Sequence, residues 1–255
     1  MTDRDRFSEI CSRIEGTDRP RETIGTYGEK SVHYALKLFF EDNEECREVP
    51  VGKFIADIKN GSSITEIQSS GFGALKHKLE EYFMSDGIDR VNLVYPVIAK
   101  KCVIKVSRDT GEVVKEYNSP RHISPVEIFK ELLFVGDPLF SPKLSFYLVL
   151  LEVCEVSFYD EGRKKRYAVS KIDKIPKALI DIKRYDSVYD MGDLFSLEDG
   201  QTVTSAMIRK ELRSTGRNGW AAIKIMEKIG YITRCGKEGN KILYQFKKCP
   251  VNPVE

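Results

Sequence analysis

The stretch FIADIKNGSSITEIQ, residues 54–68, constrains this chain more than any other. Two short runs of alternating apolar and polar residues flank Asn60-Gly61. That dipeptide is the one most favoured in a tight two-residue turn, so the segment reads as a β-hairpin. With Asn60-Gly61 at the turn, residue i pairs with residue 121 − i, which sets Asp57 opposite Ile64 and Glu66 one diagonal step away. Side chains alternate faces along a strand and share a face across a pair. Asp57, Glu66 and Gln68 therefore project from one face of the hairpin. Two carboxylates and an amide oxygen converging from apolar strands suit a hard divalent cation. Magnesium takes one or two carboxylates, keeps several waters and lets phosphate oxygens complete its octahedron.

The flanking segments extend this unit. Residues 28–41 place Val32, Ala35, Leu36 and Phe39 on one helical face, and residues 73–83 do the same with Leu75, Leu79, Tyr82 and Phe83. The run VNLVYPVI (91–98) is almost continuously apolar, as a strand buried on both faces should be. The first 100 residues thus read helix, strand, strand, strand, helix, strand. Residues 100–185 are β-rich, with a hairpin around Asp109-Thr110-Gly111, a capped helix after Ser124-Pro125, and a long strand over 144–160. The Lys/Arg run 163–166 that follows reads as a solvated turn.

Composition narrows the function classes. With 255 residues, 41% of them hydrophobic and 31% charged, the chain can bury a substantial core in one or two domains and is too apolar for disorder. No stretch approaches the roughly 18 apolar residues of a membrane span, and the charged start MTDRDRFSEICSRIEG offers no secretory segment. Cys11, Cys46, Cys102, Cys154, Cys235 and Cys249 are scattered singly. That spacing gives neither a zinc framework nor a disulfide scaffold, and implies reduced thiols in a cytoplasm. A membrane protein, a secreted mini-domain and a zinc finger are thereby excluded. There is no Gly-rich phosphate loop, no ligand spacing among His33, His77 and His122, and no G-x-S-x-G.

In order and spacing, residues 24–98 resemble the PD-(D/E)xK, or restriction-endonuclease-like, nuclease superfamily. That family's core is a helix, three antiparallel strands, a helix and a strand. Its signature is an Asp at the end of the second strand and a (D/E)-x-K on the third. Many members add a Glu on the first helix, often after a glycine, as in Gly25-Thr26-Tyr27-Gly28-Glu29. The resemblance implies that Asp57 and Glu66 bind Mg²⁺, with Mn²⁺ substituting, and that Glu29 reaches the ion directly or through water. Gln68 stands where the family usually has lysine. A few restriction endonucleases carry E-x-Q there, and in other members the lysine has moved to the following helix, where Lys76 and Lys78 are the candidates. His77, between them, reads as a solvated residue.

The C-terminal part carries a second pattern. Residues 201–255 hold eleven Lys and Arg against four acids, a net +7 that leaves −5 for residues 1–200 within the chain's +2. Such an asymmetry points to a polyanionic partner. Thr204 caps a helix, SAMIRKELR, with Ala206, Met207 and Leu212 available to a core. A turn at Ser214–Arg217 leads into a second helix with Ala222, Ile225, Met226 and Ile229 on its apolar face and Gly230 at its end. YITRCGKEGNKILYQF then forms a hairpin with a basic tip. Helix, turn, helix and hairpin resemble a winged helix-turn-helix domain over residues 186–248, with DMGDLFSL as its first helix. The resemblance implies DNA contact by Arg217, Asn218, Trp220 and Lys224 on the second helix and by Lys237 and Lys241 on the wing. For Trp220, a packing role stands as the alternative.

The expected fold is α/β: a restriction-endonuclease-like domain over 1–185, with a mixed sheet flanked by helices and β-rich additions, and a small α+β winged-helix domain over 186–255. The expected function is magnesium-dependent hydrolysis of duplex DNA, with a homodimer as one expected assembly. The alternatives are a catalytically inactive DNA-binding or regulatory protein on the same fold, and a protein-interaction module.

Overall fold

The computed structural model describes residues 1–16, 31–120, 123–159, 169–214 and 216–251. Helices α1 (Asp3–Gly16) and α2 (Ser31–Phe40) lead to strands β1 (Arg47–Val51), β2 (Phe54–Asn60) and β3 (Ser63–Ile67), helix α3 (Leu75–Met84) and strand β4 (Arg90–Ser107). Strand β5 (Val113–Asn118), the short helix α4 (Phe129–Leu132) and the long strands β6 (Leu144–Tyr159) and β7 (Val169–Tyr185) follow. After a 3-10 helix at Val188–Leu194 come β8 (Thr202–Thr204), α5 (Ser205–Glu211), α6 (Gly216–Ile229), β9 (Ile232–Glu238) and β10 (Lys241–Phe246). The architecture is mixed α/β. A large sheet in the order β1-β2-β3-β4-β6-β7, with β5 on β4, is flanked by helices, and a second sheet has the order β8-β10-β9. No described helix is long and apolar enough to cross a membrane.

The chain divides into two compact units. Unit 1 comprises 1–48, 96–123 and 148–182. Within it α1 buries Phe7, Ile10, Cys11 and Ile14, a one-face spacing. The Phe7 ring meets Phe39 of α2 edge-on at 5.6 Å. Arg6 caps this contact, pairing with Asp42 at 2.9 Å while its guanidinium lies over Phe39. Only these few apolar positions break the charged run of α1, which is why its periodicity is faint.

Unit 2 comprises 49–95, 124–147 and 183–255. Its core includes an aromatic cluster in which Phe195 lies 4.9 Å from Phe129, 5.5 Å from Tyr231 and 5.3 Å from Phe246. The buried Tyr231 hydroxyl donates to the Val188 carbonyl at 3.0 Å. Thr204 caps α5, its hydroxyl accepting from the Met207 N–H at 3.3 Å. Leu212, just after α5, is buried as expected, but Ala206 and Met207 are exposed and Ile208 takes their place in the core. Strand β8 was not expected. Its three residues pair with β10, from Thr204 opposite Leu243 to Thr202 opposite Gln245.

The hairpin differs from expectation by one residue. Asn60 pairs with Ser63, Lys59 with Ile64 and Ile58 with Thr65, so the turn residues are Gly61-Ser62 rather than Asn60-Gly61. Gly61, at φ 55°, supplies the left-handed backbone that a glycine-first two-residue turn needs, and Asn60 remains an ordinary strand residue. Extending this register by one residue sets Asp57 directly opposite Glu66, where a diagonal offset had been expected. Moving the turn by one residue moves each partner by two, so the face on which the acids lie is unchanged.

Candidate active site

Strand β3 is the pivot of the site. It pairs antiparallel with β2 on one side and parallel with β4 on the other, Glu66 standing beside Leu93. Asp57 closes the hairpin with its side chain: Oδ2 accepts the Ile67 N–H at 2.8 Å. Glu66 is 2% exposed. An unpaired carboxylate at such depth would be prohibitively costly, so its partners decide what it can do.

Those partners come from α3. Leu75, Leu79 and Tyr82 are its buried residues, and the face they define also carries Lys78, one turn before Tyr82. The Lys78 ammonium lies 2.7 Å from Glu66 Oε2, and the Tyr82 hydroxyl donates to Oε1 at 2.9 Å. The connection into α3 is fixed by Glu131, whose Oε2 accepts the Gly71 N–H at 3.1 Å and the Phe72 N–H at 3.5 Å.

Electrostatics show an acid pair under compression. Burial, and then the facing charge of Asp57, push the Glu66 carboxyl above its usual range, while the Lys78 charge and the Lys78 and Tyr82 hydrogen bonds pull it back. The Tyr82 phenol is held well above its usual range by burial and by the Glu66 charge, so it stays a donor. Like charges directly opposite across a strand pair repel, and a divalent cation between them would relieve that repulsion. Among the described residues no group of three or more His, Cys, Asp or Glu is placed to hold a metal ion. Asp57 and Glu66 fit magnesium in its sparing mode, one or two carboxylates plus waters and phosphate oxygens.

The remaining candidates separate. Lys76 turns away, 4.0 Å from Glu80 and near Gly136. His77 pairs with Glu80 at 3.0 Å on the exposed side of α3. Gln68 is half-buried, its amide donating to the Ser70 carbonyl at 2.5 Å. Glu29 lies outside the described residues. Tyr82 was counted among apolar inward residues. Its spacing of four from Lys78, on a helix following a buried Glu, is the signal that would have drawn it into the site.

On the C-terminal elements of unit 2, Arg217, Asn218 and Trp220 are exposed on α6, and Lys237 and Lys241 are exposed on the β9–β10 hairpin. Trp220 is 57% exposed, which removes the packing alternative. The half-buried Lys224 places its ammonium 5.8 Å from the Trp220 ring centre.

A family profile described as a domain of unknown function (DUF8091) matches residues 30–186. The chain is 27% identical over 212 residues to an uncharacterized protein of Treponema pallidum (strain Nichols), an alignment covering 78% of this chain and 82% of that protein. No solved structure matches.

Proposed function

The chain belongs to the DUF8091 family, and we propose that this member is a magnesium-dependent endonuclease of the PD-(D/E)xK type that hydrolyses DNA phosphodiester bonds. The observation that carries the reading is the convergence of Asp57, Glu66 and the Lys78 ammonium from a hairpin and the helix after it. The observed order α2, β1, β2, β3, α3, β4 also supports it. So does the order of a 3-10 helix, β8, α5, α6, β9 and β10 at the C-terminal end, which matches a winged helix with the strand between its first two helices paired to the hairpin.

Bound magnesium would supply charge stabilisation at the phosphate and a more acidic water. The chain's own residues do the rest. Asp57 and Glu66 offer carboxylate oxygens on one face. Lys78 supplies the cation that Gln68 cannot, from a different element, and favours the ionised form of Glu66 against the burial that opposes it. Tyr82 fixes the orientation of the Glu66 carboxylate. The basic face of α6 and the β9–β10 hairpin would hold the duplex through its phosphates.

One observation favours a second reading, a DNA-binding regulator without catalysis: Gln68 is turned onto Ser70. The two separate on supercoiled plasmid DNA incubated with the full chain and Mg²⁺ or Mn²⁺. Nicking that is lost with chelator and in Asp57→Ala establishes the endonuclease. Intact plasmid with retained DNA binding establishes the regulator.

A further inference from the structure

The exposed stripe of α6 has a composition that reading a closed duplex does not require. Arg217, Trp220, Lys224 and Lys228 succeed one another at three- and four-residue steps, so they share one helical face, with Lys228 already paired to Asp137 at 2.9 Å. The opposite face buries Ala222, Ile225, Met226 and Ile229. Trp220 is the chain's single tryptophan and stays in water beside this core. The Lys224 ammonium lies 5.8 Å from its ring centre, and Arg217 stands one turn earlier on the same helical face. At Gly219 an added Cβ would stand 3.0 Å from Arg209 Cγ and 3.1 Å from Cδ, so α5 brings a further basic side chain beside the root of Trp220.

We infer that this stripe is a stacking site for an unpaired base, and that the nucleic acid taken by this chain carries single-stranded nucleotides where it meets α6. The inference rests on the nucleic-acid reading above and narrows its substrate class. Inside a duplex each base face is covered by its neighbours, so an indole entering a groove meets edges and sugars. An unpaired base offers an open π-face, and aromatic stacking on it tolerates any sequence. Basic residues one turn before and one turn after Trp220 on its helical face would meet the phosphates of the strand that carries the stacked base. The net +7 of residues 201–255 supplies the charge complementarity for the strand.

The single tryptophan makes the test direct. The full chain is titrated, without divalent metal, with an oligothymidylate strand, with the same strand annealed to its complement, and with an abasic strand of equal length. Stacking predicts strong quenching of Trp220 emission by oligothymidylate, and little by the duplex or the abasic strand. By anisotropy of labelled strands, Trp220→Ala should lose about tenfold in affinity for oligothymidylate, as expected for one lost stack, and Trp220→Phe should recover most of it. Neither variant should change affinity for the abasic strand, and their thermal melting should match the wild type because the side chain is exposed. Equal binding of duplex and single strand without quenching, and unchanged in Trp220→Ala, overturns the stacking site while leaving the nucleic-acid reading intact. Binding to none of the three overturns both, and makes the stripe a protein-docking surface.

Discussion

Lys78 and Glu66 meet at 2.7 Å although one sits on a helix and the other on a buried strand twelve residues earlier. Lys78 is 20% exposed along its side chain and Glu66 2%, so the pair is only weakly screened. Removing one partner strands the other. Lys78→Met should cost roughly 3 kcal/mol, the lower end for a broken buried pair, and should abolish plasmid cleavage while leaving duplex affinity intact. Lys76→Met, which breaks only an exposed contact at 4.0 Å to Glu80, should stay within about 0.5 kcal/mol of wild type and keep cleavage. Urea melts and plasmid assays on the two variants check both.

Tyr82→Phe removes one hydroxyl from a buried site and leaves Glu66 Oε1 without that donor. The cost should be roughly 1–3 kcal/mol in stability. With one fewer hydrogen bond to its charged form, Glu66 takes up a proton more readily. Manganese affinity measured by calorimetry should therefore fall in the variant, and fall more at pH 6 than at pH 7.5. A loss that does not depend on pH would assign Tyr82 a packing role only.

The raised Glu66 carboxyl has a definite sign in the pH dependence of stability. Its folded value lies above the ordinary 4.5, so between the two values the folded state holds more proton than the unfolded chain. Stability contributed by this group is full below pH 4.5 and declines as pH rises through the folded value. Glu66→Gln should flatten that decline in metal-free protein, and Mn²⁺ should oppose it in the wild type by binding the ionised form. Thermal melts at half-unit pH steps, with and without metal, measure both effects.

Salt dependence tests the C-terminal hairpin. Lys237 and Lys241 lie near its tip and are exposed. Each phosphate neutralised by a lysine adds about −0.9 to the slope of log affinity against log salt. Changing both to Ala should flatten the slope by about 2 and weaken all duplexes alike. Asn218→Ala should instead act unevenly among single-stranded sequences, through lost contacts to the edges of unpaired bases.

The hairpin was legible because its alternation is strong, and the Asp57–Glu66 face survived an error in the turn for a geometric reason. A one-residue shift of the turn changes partners without changing faces. The turn itself was misread because Asn-Gly is the stronger dipeptide signal, yet Gly61 takes the first turn position with Ser62 after it. Lys78 could be shortlisted but not separated from Lys76, since helical phase against a strand is a tertiary fact. Strand β8 could not be seen, because three residues carry no periodicity and their pairing with β10 spans the whole helix pair. Trp220 is undecided in sequence because its indole suits either a core or a groove; the fold buries Ile208, Leu212 and Ile225 and leaves Trp220 57% exposed.

The bond from the Ile67 N–H to Asp57 Oδ2 bears on how distant relatives are to be judged. An acceptor at position 57 secures the end of the hairpin whatever chemistry the protein performs. A relative without an acceptor there would leave the Ile67 N–H without that bond. An acceptor at 57 therefore reports on the hairpin rather than on chemistry. The ammonium of residue 78 comes from outside the hairpin and meets its buried Glu66, and under the nuclease reading proposed above it is the group whose loss removes both that pairing and cleavage.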